Sequence, residues 1–540
     1  MLFRSHNYLF YETAASIISL VLLGNYIEHK AVKRAASAVE SLNKIKPARA
    51  RIVMQIGDKE KFIETEISNL KKGDVVIVNT GEQIPADGEI LWGKADVDQS
   101  MFTGESSPVE MEEGKKVIGG SIISNGNVRV KVSGVGEDSY LNHLIEMIRR
   151  ASFSKPAIQK LGDKVSAVFV PVVLLISLFT FLGAHFIFAL DVFHSMMNAM
   201  AVLVISCPCT MGLATPTAVI VGVGRAARGG IIFRGGKSIQ ALAEVKTFLF
   251  DKTGTLTDGE FEIVKLIIHD DQFTEDEIKH ILYALEVHSS HPLAKSLVKH
   301  LNKFQGKTAS DIKEERSAGI SGKVDGEIYF LGSSRILPEV TQANGAQMYL
   351  VCNRRLIASV YMQDKIRHGT DELTQHLRTN NINVAIVSGD TTEKCAEISD
   401  RVGIPGFYSN LLPHEKLEKI EVEKKKGFVA MVGDGINDAP SLAAAAVGIS
   451  FSSATDVAIQ SSDVIVIEGG LEKIKQAHQL SKATLKTIKQ NLFWAFCYNL
   501  IAIPLAAIGM LSPAWGAAFM AFSDLMVIGN SILLNKKQLK

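Results

Sequence analysis

Cysteine is scarce: only Cys207, Cys209, Cys352, Cys395 and Cys497 occur in 540 residues. An odd, sparse set in so long a chain excludes a disulfide framework as the source of stability. Net charge is missing too. Against 58 Lys and Arg stand 57 Asp and Glu, a balance that removes any general electrostatic case for a nucleic-acid partner. The N-terminus lacks the layout of a secretory signal with a small-residue cleavage site. Internal repeats and low-complexity tracts are absent from the chain.

What the chain does have is apolar sequence gathered into blocks, 47% hydrophobic residues alongside 21% charged ones. Five stretches approach the roughly 20 apolar residues that cross a bilayer: 11–27, 165–188, 196–223, 491–510 and 513–534. The last is the weakest, since it holds Ser523, Asp524 and Asn530. Residues 174–183 show no polar face, which argues against a helix buried in a large soluble core. Lys/Arg clusters before Arg51, after Val223 and after Leu534 place both large polar regions on the cytoplasmic side of a plasma or inner membrane.

The blocks divide the chain into domains. Residues 1–47 carry the first span and a charged extension, 48–136 alternate like strands between Gly-rich turns, and 137–224 hold a membrane hairpin. Residues 225–261 and 353–486 read as the two parts of an α/β domain interrupted by an α+β insert at 262–352; 487–540 form a C-terminal membrane hairpin. Within the α/β domain, short apolar strands each end in a turn with acidic residues, at Asp251, at Ser388-Gly389-Asp390 and at Asp434. That pattern belongs to a parallel sheet with its functional groups at strand C-termini.

Asp251 follows an apolar strand and precedes Lys252-Thr253-Gly254-Thr255. Its carboxylate suits attack on the γ-phosphate of ATP, forming an acyl phosphate, and the loop's backbone N–H groups can cradle phosphate oxygens. The attack needs neutralising charge. Asp434 and Asp438, on Gly433–Pro440, offer hard oxygens suited to Mg²⁺, and Lys416 is a candidate cation for the phosphoryl group. The two motifs together resemble P-type ATPases of the haloacid-dehalogenase superfamily. The resemblance implies phosphorylation of Asp251, Mg²⁺ on Asp251, Asp434 and the carbonyl of Thr253, and support from Asn437 and Asp438. Ser388 stands where the family has Thr, which keeps the hydroxyl; Ala446 stands where it has Asp.

The same resemblance gives meaning to weaker signals. Thr103-Gly104-Glu105-Ser106 is similar to the actuator loop whose glutamate orients water against the acyl phosphate, so Glu105 is assigned to dephosphorylation. His291-Pro292, after Glu286, resembles the heavy-metal subfamily's nucleotide signature, with His291, Glu286 and Gly319 at the ATP. Two positions depart from it: Ser290 replaces a glutamate, and Ser317 replaces one of a pair of glycines.

In the third span, Cys207-Pro208-Cys209 opens the helix backbone and flanks the opening with two thiols. Such a site suits Cu(I) and, less exclusively, Zn²⁺. With Gly212–Pro216 behind it, the segment resembles heavy-metal P-type ATPases. Tyr498 and Asn499 in the fourth span, and Met520 and Ser523 in the fifth, match the copper pattern. Asp524 stands where copper pumps have a second serine, which leaves zinc as the alternative. Glu28 and Asp163 resemble cytoplasmic mouth residues and Glu12 an exit carboxylate.

The resemblance thus implies a monomeric, copper-exporting ATPase fed by a soluble copper carrier. The subfamily has eight spans and this chain shows five, with no Cys-X-X-Cys domain, which implies a shortened N-terminus. Two rivals stay open: a chain that phosphorylates without transporting, and a soluble phosphatase that would not need detergent.

Overall fold

The computed structural model describes residues 15, 18, 19, 22, 26, 49–56, 59–99, 108–136, 139, 156–206, 209–289, 292–315, 319–333, 346–452, 454, 456–467 and 469–538. It divides into two compact units, Met1–Leu249 with Glu372–Ala385 and Leu411–Lys540, and Phe250–Asp371 with Ile386–Asn410.

The first unit opens with a seven-stranded antiparallel sheet. Its spatial order is Lys59–Glu66, Arg49–Ile56, Val75–Val78, Ile122–Gly134, Asp87–Asp98 and Val109–Met111, with Lys116–Val117 also pairing Asp87–Asp98. Alternation decides it: Val76 and Val78 point inward with Val128, Val130 and Val132, while Ile77, Arg129 and Lys131 do not. One inward valine face against Ile84, Ile90 and Ile123 makes the core.

Apolar helices follow: α1 (Ala157–Leu182), α2 (Val192–Ile205), α3 (Cys209–Arg228), α4 (Glu472–Ala507) and α5 (Pro513–Leu533). Among the described residues, Ser166–Ile187, Val192–Arg228 and Pro513–Lys536 are long and apolar enough to cross a membrane. The expected span at 491–510 falls short of that measure: its residues to Ala507 are the apolar end of α4, whose first half carries the lysines, and the expected span at 11–27 lies largely outside the described residues. Asn491 stitches the bundle. Its amide donates to Ala214 O (3.1 Å) and Ser531 Oγ (2.9 Å), and it accepts from Asn530 Nδ2 (2.8 Å). Small residues allow the close packing: a Cβ on Gly222 would lie 2.6 Å from Thr484 Oγ1, and one on Gly516 2.4 Å from Ile205 Cγ1.

The α/β sheet has seven strands in the order Gly406–Tyr408, Asn383–Val387, Val245–Phe250, Phe428–Val432, Val447–Phe451, Val464–Val466, Ile231–Phe233. The fourth to sixth are parallel and the last is an antiparallel edge. The continuous burial of Val447–Phe451 and Val464–Val466 is that of strands covered on both faces. Asp251, Ser388 and Gly433 each follow the last residue of a strand, and those three strands are consecutive in the sheet.

In the second unit, an antiparallel six-stranded sheet runs Thr257–Ile268, Arg355–Ile366, Met348–Cys352, Glu327–Gly332, Gly319–Val324, Ala309–Glu315. Its outer pair reaches beyond 262–352 at both ends, because Thr257 pairs with Ile366. Helices Glu275–Glu286 and Pro292–His300 give Ile278, Leu282, Leu285 and Leu297 to its core. The first of these helices starts on a reciprocal cap between Thr274 and Glu277.

Candidate functional site

Asp251 ends the strand Val245–Phe250, whose Phe248, Leu249 and Phe250 are fully buried. The aspartate is itself 8% exposed. The chain then turns through Gly254 at φ +75°, a conformation that side chains disfavour. Arg367 braces this loop: Nε donates to Thr255 O (2.9 Å), Nη2 to Gly254 O (2.5 Å), and its backbone N–H to Leu256 O (2.9 Å). It also lies 3.5 Å from Asp258. Nothing in the local sequence marks Arg367; only strand pairing brings it back to the loop.

Lys252 makes an ion pair with Asp390, two residues beyond Ser388. Burial works against the Asp390 charge, yet the hydrogen bond and charge of Lys252, helped by Lys394 and Ser388, hold its carboxyl below the usual range. Ser388 is buried, and its hydroxyl accepts from Asp390 N–H at 3.1 Å. The loops carrying Asp251 and Ser388 are thereby tied together. Thr253 lies inside the Asp251 loop with extended backbone, φ −81° and ψ 129°.

In the first unit, Lys416 Nζ donates to Asp438 Oδ1 at 2.9 Å, with the two side chains 9% and 5% exposed. Desolvating such a pair costs several kcal/mol per ion, so geometry must compensate, and Asp438 Oδ2 also accepts from Gly435 N–H at 3.3 Å. The pair thus folds the Gly433–Pro440 loop onto helix Pro413–Lys424, leaving Asp434 half-buried and Asn437 exposed.

In the insert, Glu286 closes helix Glu275–Glu286 and is 3% exposed. Burial pushes its carboxyl up to about 7, and the Glu314 charge adds to the effect. Glu314 accepts from Ser289 Oγ at 2.6 Å. Gly319 starts its strand at φ +147°, where an added Cβ would lie 2.1 Å from Leu331 O. His291, Ser290 and Ser317 lie outside the described residues, as do Thr103–Ser106 with Glu105.

In the helices, Met520, Ser523 and Asn499 are buried, and Asn499 Oδ1 has no hydrogen-bond partner among the described residues. Tyr498 OH donates to Gly516 O at 3.4 Å. Thr210, one residue past Cys209, donates to Asp524 Oδ1 at 2.6 Å, both buried. Cys209 begins α3 and Asp163 lies on α1, while Cys207, Glu12 and Glu28 are outside the described residues.

Comparison with known proteins gives a consistent result. The family model for the P-type ATPase actuator domain matches residues 44–149, and that for haloacid dehalogenase-like hydrolases matches 245–446. The chain is 38% identical to a protein of Enterococcus hirae described as a probable copper-importing P-type ATPase A, covering 100% of this chain and 75% of that one. It is 39% identical to copper-transporting ATPase 1 of Rhizobium meliloti, covering 97% and 66%. It is 36% identical to the copper-exporting P-type ATPase of Staphylococcus saprophyticus, covering 98% and 68%. The chain therefore spans about two thirds to three quarters of these relatives. Among solved structures, a zinc-transporting PIB-type ATPase in an E2·Pi state superposes with a TM-score of 0.68 at 28% identity, over 97% of this chain and 88% of that one.

Proposed function

The chain belongs to the P-type ATPases, and we propose that it moves Cu(I) out across a membrane by cycles of phosphorylation at Asp251. Its fold is that of an ATP-hydrolysing membrane transporter. The observation that carries the phosphorylation reading is the placement of Asp251, buried at a strand end on a loop braced by Arg367 and tied through Lys252 to Asp390.

The chemistry assigns each residue a task. Asp251 Oδ attacks the γ-phosphorus, the bond to the β-phosphate oxygen breaks, and ADP departs. Asp251, Asp434 and the Thr253 carbonyl, all hard oxygens, fit Mg²⁺, which would neutralise charge on the transferring phosphoryl group. Lys416 and Ser388 hold phosphoryl oxygens, with Asp438 and Asn437 fixing their loop. Glu286, His291 and Gly319 hold the nucleotide. Glu105 later orients water against the acyl phosphate.

Copper rests on soft ligands, the thiols of Cys207 and Cys209 and the thioether of Met520, and on the names of the curated relatives. Tyr498, Asn499 and Ser523 complete the path; Glu28 and Asp163 form its cytoplasmic mouth and Glu12 its exit. A soluble carrier delivers the ion to a monomer. Export is the direction proposed, although one relative is described as importing; metal uptake into inside-out vesicles separates the two.

Zinc is the second reading, favoured by the buried Asp524 carboxylate beside Thr210. The test is ion-stimulated phosphorylation. Cu(I) should stimulate labelling from ATP, Cys207→Ser with Cys209→Ser should remove the response, and Met520→Leu should weaken it. Stimulation by Zn²⁺ alone, reversed to copper by Asp524→Ser, would overturn copper while keeping the pump.

A further inference from the structure

Helix α4 leaves the membrane with one exposed stripe. Lys482, Lys486, Lys489 and Phe493 follow one another at spacings of four, three and four, so they share a face, and all are exposed. Between them Leu485 is buried, and with Glu244 these side chains line a recess of about 450 Å³. Below the lysines the stripe becomes apolar, with Phe493 58%, Trp494 55% and Leu500 77% exposed. Those residues lie in the expected span, where exposure means contact with acyl chains.

The level of the recess follows from its neighbours. Asn491, two residues past Lys489, bonds Asn530 and Ser531 near the end of α5. Beyond these, Arg225 donates to Leu534 O and Arg228 to Asn535 Oδ1. Arg225, Arg228, Lys489 and Lys536 therefore mark one basic rim, the side that the charge rule assigns to the cytoplasm. A basic recess directly above an apolar, aromatic stripe matches an amphiphile with an anionic head and hydrocarbon tails.

The lysines are only lightly used. Lys482 Nζ donates to Asn380 Oδ1 at 2.7 Å, and Lys489 lies 3.9 Å from Glu244 Oε1. Lys486 has no hydrogen bond or ion pair among the described residues. Among the lining residues Glu244 is the one carboxylate beside three lysines, so the recess is left with an excess of positive charge.

We propose that this recess binds the phosphate head of an acidic phospholipid from the cytoplasmic leaflet, its chains lying along Phe493, Trp494 and Leu500. The site braces α4 where it turns from bilayer to α/β sheet, since His478, one turn above Lys482, packs edge-on against Phe248 of the strand that precedes Asp251. Lipid binding here requires only that the chain spans a membrane, whichever ion is carried.

The experiment is native mass spectrometry of the full chain in neutral micelles doped with equal phosphatidylglycerol and phosphatidylcholine. The wild type should retain phosphatidylglycerol selectively. Lys482→Gln/Lys486→Gln/Lys489→Gln should lose that selectivity, by about fivefold for each lysine removed. Lys536→Gln/Lys537→Gln, on the same rim, should keep it. If the triple variant fails to fold, Lys486→Glu alone, at an exposed position, should still weaken retention. Equal retention by the triple variant, equal loss in the rim control, or displacement of the lipid by millimolar inorganic phosphate would each overturn the proposal.

Discussion

Glu286 shows how one residue couples the insert to pH. Its carboxyl, raised by burial from 4.5 to about 7, favours the protonated form in the folded chain. The stabilisation is complete below about pH 4.5 and is lost as pH rises through 7, each pH unit between them removing about 1.4 kcal/mol. Glu286→Gln stays neutral throughout, so at pH 8 it should hold the insert more tightly than the wild type. Cys352, a buried thiol of the same core, reports this. Its labelling by a thiol reagent should be slower in the variant at pH 8, with the difference shrinking as pH falls and nearly gone by about pH 4. Equal rates at pH 8 would remove the buried charge from the account. At this scale the sequence was unevenly legible. Asp251 and Asp434 stood out because their motifs are contiguous. The Lys416–Asp438 pair was half legible, since both residues were singled out but not their contact. Arg367 was not, because it reaches Thr255 across 112 residues through backbone carbonyls, which leave no side-chain pattern.

Elements fail differently from residues, by spacing rather than charge. Gly319 opens a strand at φ +147° against Leu331 O, so any side chain there is strained and also meets backbone. Gly319→Ala should cost about 1–3 kcal/mol, felt as a raised ATP requirement for phosphorylation with the plateau of labelling at Asp251 preserved. An unchanged ATP dependence would separate Gly319 from the nucleotide. Hydropathy made the membrane helices legible at 165–188, 196–223 and 513–534, since each is long and mostly apolar, even where Ser523, Asp524 and Asn530 interrupt the last. It could not reveal that the apolar residues from Asn491 to Ala507 continue a helix begun at Glu472, because the lysine-bearing half carries no apolar run. The pairing of Thr257–Ile268 with Arg355–Ile366 was hidden for a similar reason, since pairing at that separation is invisible in local alternation.

For the molecule as a whole, three sheets and a set of apolar helices were legible from alternation and hydropathy, and the match to P-type ATPase models and relatives bears out that fold class. What unites these parts is the phosphorylation proposed at Asp251. A strand end, a glycine turn, an arginine brace and a lysine–aspartate tie all converge on the loop that carries Asp251. The direct test is to incubate the full chain with γ-labelled ATP and Mg²⁺, quench in acid, and challenge the label with hydroxylamine. The wild type should carry an acid-stable label that hydroxylamine releases, as an acyl phosphate requires, and Asp251→Asn should carry none above background. Undiminished labelling of Asp251→Asn, or a wild-type label that resists hydroxylamine, would contradict the account.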